Sequence, residues 1–203
     1  MNRQEMRQPR PMTRERLERA GYHYLERFAS SHANMRRVLE RKCRRSHADG
    51  APPSAEEDGW IAEILARCEA LGLLDDAAYA EMKARSLAAR GKAGRHIRSW
   101  LAARGVGEDD IARALDALAR EAGGEAAADA ARARRFARRR RMGPYRKQAL
   151  DDARKRKEMG AFARAGFAYG LARAIIDAAD EAALDQLEAE AADRCADADM
   201  EDI

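Results

Sequence analysis

The sequence is short of the residues that build sheets. It holds 2 Val, 7 Ile and 1 Thr among 203 residues, and aromatic side chains make up 5% of it. β-Branched and aromatic side chains suit the pleated, half-buried surface of a strand, so this composition excludes a sheet-based fold. No run of about 18 apolar residues is present, and no membrane span is expected. The opening MNRQEMRQPRPM has no apolar core and does not read as a secretory signal. Cysteine is scarce, odd in number and dispersed (Cys43, Cys68, Cys195). That argues against a disulfide framework and for reduced thiols packed on helices in a cytoplasm.

Catalytic and metal-binding patterns are also missing. His23, His32, His47 and His96 are scattered, and the Cys43/His47 pair has no second pair to complete a metal site. Gly91-Lys92 resembles the end of a phosphate loop, but Ala93 stands where a hydroxyl residue belongs. Asp75-Asp76 reads as a helix cap, because adjacent residues face different sides of a helix. The expectation is a protein that is not an enzyme, with no cofactor and no metal.

What is abundant is Ala, with 47 residues, together with Arg, Leu and Glu. These are strong helix formers, and the fold class expected is all-α. A flexible arm is expected over 1–12. Helical spacing begins near Arg14, with Leu17, Tyr24, Leu25 and Phe28 on one face. Met35, Val38 and Leu39 face inward on a second helix, and residues 46–59 read as a loop. Trp60, Ile61, Ile64, Leu65 and Cys68 lie on a third. The pattern then restarts. Met35, Ile97 and Met159 are each 62 apart, as are Val38, Trp100 and Phe162, and Leu39, Leu101 and Ala163. The architecture expected is three tandem three-helix repeats, 13–74 (with the 46–59 loop), 75–122 and 125–180, forming an elongated, curved array.

Charge is divided along the chain. Residues 1–173 carry 38 basic and 24 acidic side chains, and residues 174–203 carry 1 and 11. A basic body implies a polyanionic or acidic partner. The acidic tail, 181–203, can fold over basic surface, repel non-specific DNA, or serve as a solvated end. Arg is the residue suited to paired hydrogen bonds with phosphate or carboxylate. Three basic clusters stand out. The first is Arg36, Arg37, Arg41, Lys42, Arg44 and Arg45. The second is Lys92, Arg95, Arg98 and Arg104, where Lys92 and Arg95 flank a helix start whose amides favour anions. The third is Arg138, Arg139, Arg140 and Arg141 with Arg146, followed by Lys147 and Arg154 to Lys157. A solvated helix face is the plain alternative for each.

The segments YLERFASSHANMRRVLERKCRR, LGLLDDAAYAEMKARSLAARGKAGRHIRSWLAARGV and MGAFARAGFAYGLARAII resemble the RecX family of bacterial recombinase regulators, over about residues 14–180. The middle segment carries most of the likeness: Gly72-Leu73-Leu74-Asp75-Asp76, Tyr79-Ala80, Gly91-Lys92-x-Gly94-Arg95-x-Ile97, then Leu101 and Gly105-Val106. The opening looks like the alpha-proteobacterial version. Asn34-Met35 departs from the acidic-Leu pair of many relatives. The resemblance implies a modular array of three-helix repeats that binds RecA and the groove of the RecA–single-stranded DNA filament. It would reduce recombinase, ATPase and co-protease activity in DNA repair, recombination and the SOS response. The three clusters would make the attachment, with direct DNA contact possible for a cytoplasmic monomer. The rival readings are a sequence-independent DNA-binding protein acting without RecA, and a helical scaffold for another protein.

Overall fold

The computed structural model describes residues 11–201, with side chains described as far as residue 193. Most of the expected arm, 1–12, lies outside the described residues, as does the Cys195 side chain. Ten α-helices and one 3₁₀ turn make up the described chain, and no strand occurs among the described residues. They are α1 (Arg14–Leu25), α2 (His32–Arg44), α3 (Ala55–Ala70), α4 (Asp76–Ala89), α5 (Gly94–Ala102), α6 (Glu108–Glu121), α7 (Glu125–Arg140), the 3₁₀ turn Gly143–Tyr145, α8 (Asp152–Ala165), α9 (Tyr169–Asp177) and α10 (Glu181–Glu201). Met35, Ile97 and Met159 fall on α2, α5 and α8, every third helix. No helix among the described residues is long and apolar enough to cross a membrane.

Contacts divide the chain into two bodies. The first runs to Tyr79 and includes Arg104–Val106. Its core is Leu17, Met35, Val38, Leu39, Ile61 and Leu65 from α1, α2 and α3, with Cys43 and Cys68 buried among them. Burial pushes the Cys43 thiol up to about 11, so it stays protonated and packs as a small apolar group. Gly21 lets α1 approach α2, because a Cβ there would stand 3.0 Å from the Met35 methyl.

Three local expectations are corrected here. Helix α1 ends at Leu25, so Phe28 lies past the inward face and is 52% exposed. The 46–59 loop ends early. Ser54 Oγ accepts from the Glu57 amide at 3.2 Å and Glu57 accepts from the Ser54 amide at 2.8 Å, a capping box that starts α3 at Ala55. In the third triplet only Phe162 is fully buried, while Met159 is half-buried and Ala163 exposed.

The second body comprises Ala80–Ala103 and Gly107 onwards. Phe136, Phe162 and Phe167 form a ring cluster with centroids 5.0–5.8 Å apart, surrounded by Ile175, Ile176 and Leu184. Gly143, at φ 60°, brings the turn after α7 onto α9, where a Cβ would meet the Ile175 carbonyl at 2.4 Å. The acidic segment is helical, and α10 packs on α7. Ala191 meets Ala127 and Ala130 in a close, small-residue seam.

Candidate functional site

In the first body, the α2 start is held from three directions. Ser31 Oγ accepts from the Asn34 amide at 3.2 Å and donates to the Arg104 carbonyl at 2.7 Å. The His32 amide donates to Asp76 Oδ1 at 2.7 Å. Asn34, at the departure from many relatives, donates to Tyr24 and Ser30 and so ties α2 to the end of α1. With Met35, Val38, Leu39 and Cys43 turned inward, the opposite face carries Arg37, Arg41, Lys42, Arg44 and Arg45, all exposed, and Arg36, half-buried. Arg36, Arg41, Lys42, Arg44 and Arg45 have no carboxylate within ion-pair distance among the described residues. Three of them lie in the last turn, where the helix dipole favours cations.

Arg104, grouped by sequence with Lys92 to Arg98, adjoins this α2 face. Its backbone is fixed by Ser31, its side chain hydrogen-bonds Tyr79, and Gly105 beside it sits against Ala33. Arg37 flanks the same glycine.

In the second body, Lys92 is half-buried and Arg95 and Arg98 are exposed. Arg98 is paired with Glu108. The helix start between Lys92 and Arg95 is already filled, contrary to the reading that its amides await an anion. The Gly94 amide donates to Asp129 Oδ1 at 3.0 Å, and Gly94 is buried. Burial and the Lys92 charge lower the affinity of His96 for a proton.

Part of the third cluster lines a groove. Arg138, Arg139, Arg140 and Arg141 are all exposed at the end of α7. Arg139 donates to the Arg90 carbonyl at 3.1 Å, and the Arg140 guanidinium lies 5.2 Å from the centre of the Phe136 ring. Arg141 ends the helix in the left-handed region, at φ 55°. Arg140, Arg141, Arg146, Lys147, Arg154 and Lys157 line an open groove of about 370 Å³. The carboxylate lining it, Glu158, is 5% exposed and already engaged by the Gly143 amide at 3.3 Å and Arg146 Nη2 at 3.2 Å. Arg146 also donates to the Ile176 carbonyl at 2.6 Å. It therefore shapes the wall, and the other five cations supply the open charge.

Sequence reasoning missed Arg134. Its guanidinium gathers Asp185 at 2.5 Å and Glu181 and Glu188 at 3.3 Å, and its Nε donates to the Tyr145 hydroxyl at 3.2 Å. The Tyr145 bond and these carboxylates hold its charge firmly. Glu181, Asp185 and Glu188 recur at helical spacing in the acidic segment, a signal that one face of a helix seeks a cation.

The profile of the RecX second three-helix domain matches residues 75–115. The chain is 36% identical over 170 residues to a protein of Myxococcus xanthus (strain DK1622) named regulatory protein RecX, covering 83% of this chain and 88% of that one. A protein of the same name from Agrobacterium fabrum (strain C58 / ATCC 33970) is 33% identical over 153 residues, 75% and 77% of the two chains. Two solved structures share the fold. A crystal structure of regulatory protein RecX aligns with a TM-score of 0.57 at 23% identity, over 81% of this chain and 71% of that one. RecX from Lactobacillus salivarius aligns with a TM-score of 0.52 at 20% identity, over 80% and 94%. On the strength of these likenesses over most of its length, the chain belongs to the RecX family.

Proposed function

We propose that this protein regulates the RecA recombinase by binding RecA and the RecA–DNA filament, and that it lowers the filament's ATPase and strand-exchange activity. It acts as an array of three-helix units, 13–74, 75–122 and 125–180, in the cytoplasm. The observation that carries this reading is the cationic face of α2. Five of its cations have no carboxylate partner among the described residues, so they remain available to an acidic protein surface or to phosphate. The open cations at the end of α7 and along α8 support the same attachment. A protein bridging neighbouring RecA subunits hinders the subunit motions that accompany ATP turnover.

The test is the ATPase of RecA on single-stranded DNA, titrated with this protein. Inhibition well below one molecule per RecA subunit is the expected result. Inhibition only when the DNA itself is saturated points to plain competition for DNA and removes RecA from the reading.

A further inference from the structure

We propose that the face of α7 beneath α10 is a docking seat for an acidic helix of a partner protein, and that α10 fills this seat in cis as an autoinhibitory cover. Helix α10 runs antiparallel to α7, since its Glu181 and Asp185 meet Arg134 while its Ala191 meets Ala127 and Ala130. Three features define the seat. Its floor is Ala127 and Ala130, small residues that admit a helix at close range. Its pocket takes Leu184, fully buried in the cluster of Phe136, Phe162, Ile175 and Ile176. Its clamp is Arg134, which gathers Glu181, Asp185 and Glu188, while the Tyr145 hydroxyl donates to Glu181 at 3.3 Å.

The hold of α10 on this seat is slight for a helix of its length. Of residues 181–193, only Leu184 and Ala191 are buried. Glu181 and Asp185 are more than half exposed, and ion pairs of that kind add little net attachment. What keeps the helix seated is its connector. Residues 178–180 alone separate it from α9, so it acts at about millimolar effective concentration. A separate helix at lower concentration finds the seat taken.

The same connector limits what α10 covers. The chain turns back into α9 just before Glu181, so α10 ends beside Arg134. Arg138 and Arg141 continue the α7 stripe at i+4 and i+7. Both are exposed and have no carboxylate within ion-pair distance among the described residues. A partner helix that begins two turns earlier, with acidic residues there, gains two cations that α10 does not reach. That advantage is what lets a helix in trans displace the cover.

The seat selects a protein helix over other polyanions. A phosphate backbone answers the arginines but has nothing to place in the leucine pocket or on the alanine floor. A helix with carboxylates at i, i+4 and i+7, Leu at i+3 and a small residue at i+10 satisfies all three features. That is the spacing of Glu181, Asp185, Glu188, Leu184 and Ala191. The seat does not require RecA to be the partner, and so goes beyond the regulatory reading.

The test measures anisotropy of two labelled peptides against the full chain, in the absence of RecA. The shorter has the sequence 181–193. The longer carries two further helical turns before it, with Glu four and seven positions ahead of its first acidic residue. Leu184→Ala in the protein loosens its own α10 without changing charge, and should tighten binding of both peptides at least tenfold. The longer peptide should bind about fivefold tighter than the shorter, and Arg138→Gln with Arg141→Gln should erase that difference. Amides in place of the three clamp carboxylates of the shorter peptide should weaken it about tenfold. Ala191→Leu, which overpacks the alanine floor, is a second way to loosen α10 should Leu184→Ala fail to fold. Faster hydrogen exchange at 181–193 verifies the loosening in either variant. Loosened α10 with no gain in peptide binding overturns the proposal. So does an equal gain for a scrambled peptide of the same composition, because the face is then only a cationic surface.

Discussion

The Asp129 carboxylate on α7 accepts the Gly94 amide at 3.0 Å and Arg132 Nη1 at 2.7 Å through the same oxygen. Helix α5 has no capping side chain of its own, since Ala93 stands at that position. Asp129 is thus a cap supplied from another helix, and it also neutralises an Arg132 side chain that is 4% exposed. Asp129→Ala removes both functions and leaves a buried guanidinium unpaired. The expected loss is about 2–4 kcal/mol in urea unfolding. Asp129→Asn, which keeps an acceptor, should lose less than half of that. Equal losses would mean that the acceptor is not what matters.

Gly91 and Gly72 both sit at positive φ, 71° and 68°, but in different surroundings. A Cβ on Gly91 would stand 2.8 Å from the Phe136 amide nitrogen, and one on Gly72 would meet nothing within 4 Å. Gly72→Ala should cost about 1–2 kcal/mol, the left-handed backbone penalty alone. Gly91→Ala should cost at least 2 kcal/mol more, because backbone cannot step aside as a side chain end can. Thermal unfolding of the two variants measures the difference, and a match between them would remove the close approach from the argument.

Much of this was legible in the residues. Helical class, the inward Met35, Val38 and Leu39 on α2 and Ile97 and Leu101 on α5, and the stop at Gly72 follow from spacing and turn chemistry, while Trp100 between them is only half-buried. Ser54-x-x-Glu57 is a readable capping box that the neighbouring Pro52-Pro53 obscured, since proline dominates a local reading of turns. The α5 start was misread for another reason. Gly94 looks like an open anion cradle until Asp129, 35 positions away, is brought to it. The partner of a charge is a long-range fact. For that reason Arg98 and Arg146 looked available in sequence but hold Glu108 and Glu158, and Arg134 went unremarked.

The His47 ring joins the loop before α3 to that helix. Nδ1 lies 3.0 Å from the Ala51 carbonyl and Nε2 3.1 Å from Glu57 Oε1, so both nitrogens donate only when the ring is charged. The Ala51 and Glu57 bonds raise its pKa above 6.5. Burial works to raise the Glu57 carboxyl, but hydrogen bonds from Ser54 and His47 prevail and hold it below 4.5. The His47 contribution is therefore complete below pH 6.5 and fades as pH rises through its raised value. The Glu57 contribution is complete above pH 4.5 and fades in acid. Melting temperatures of wild type and His47→Gln should differ most between these limits and draw together as pH rises past the raised His47 value. A pH-independent gap would show that the ring acts by packing alone.

Helix α10 is attached to α7 by two distinct means, the Arg134 carboxylate cluster and the seam of Ala191 on Ala127 and Ala130. The carboxylates of Glu181 and Asp185 are more than half exposed, so the cluster is worth only about 1–2 kcal/mol. Arg134→Ala should speed hydrogen exchange at amides 181–193 by roughly five- to thirtyfold, following that energy. High salt should loosen wild type and leave the variant little changed. Unaltered exchange would assign the docking to the apolar seam.

The regulatory reading can be tested on α2 more cleanly than on α5. Reversing Arg98 breaks its pair with Glu108, so lost inhibition there mixes folding with binding. Arg41, Lys42 and Arg45 have no such partner among the described residues. Their conversion to Glu should cost only a few tenths of a kcal/mol each through the helix dipole. The triple variant should keep its far-UV spectrum and need at least tenfold more protein for half-inhibition of RecA ATPase. Lys92→Glu with Arg95→Glu provides the matching measurement on the second body. If attachment is shared between the bodies, each set weakens inhibition and both together abolish it, since effects at separate sites add. Full inhibition by the α2 variant would show that its charged face is only solvated, and would leave the α8 groove as the cationic surface to be tested next.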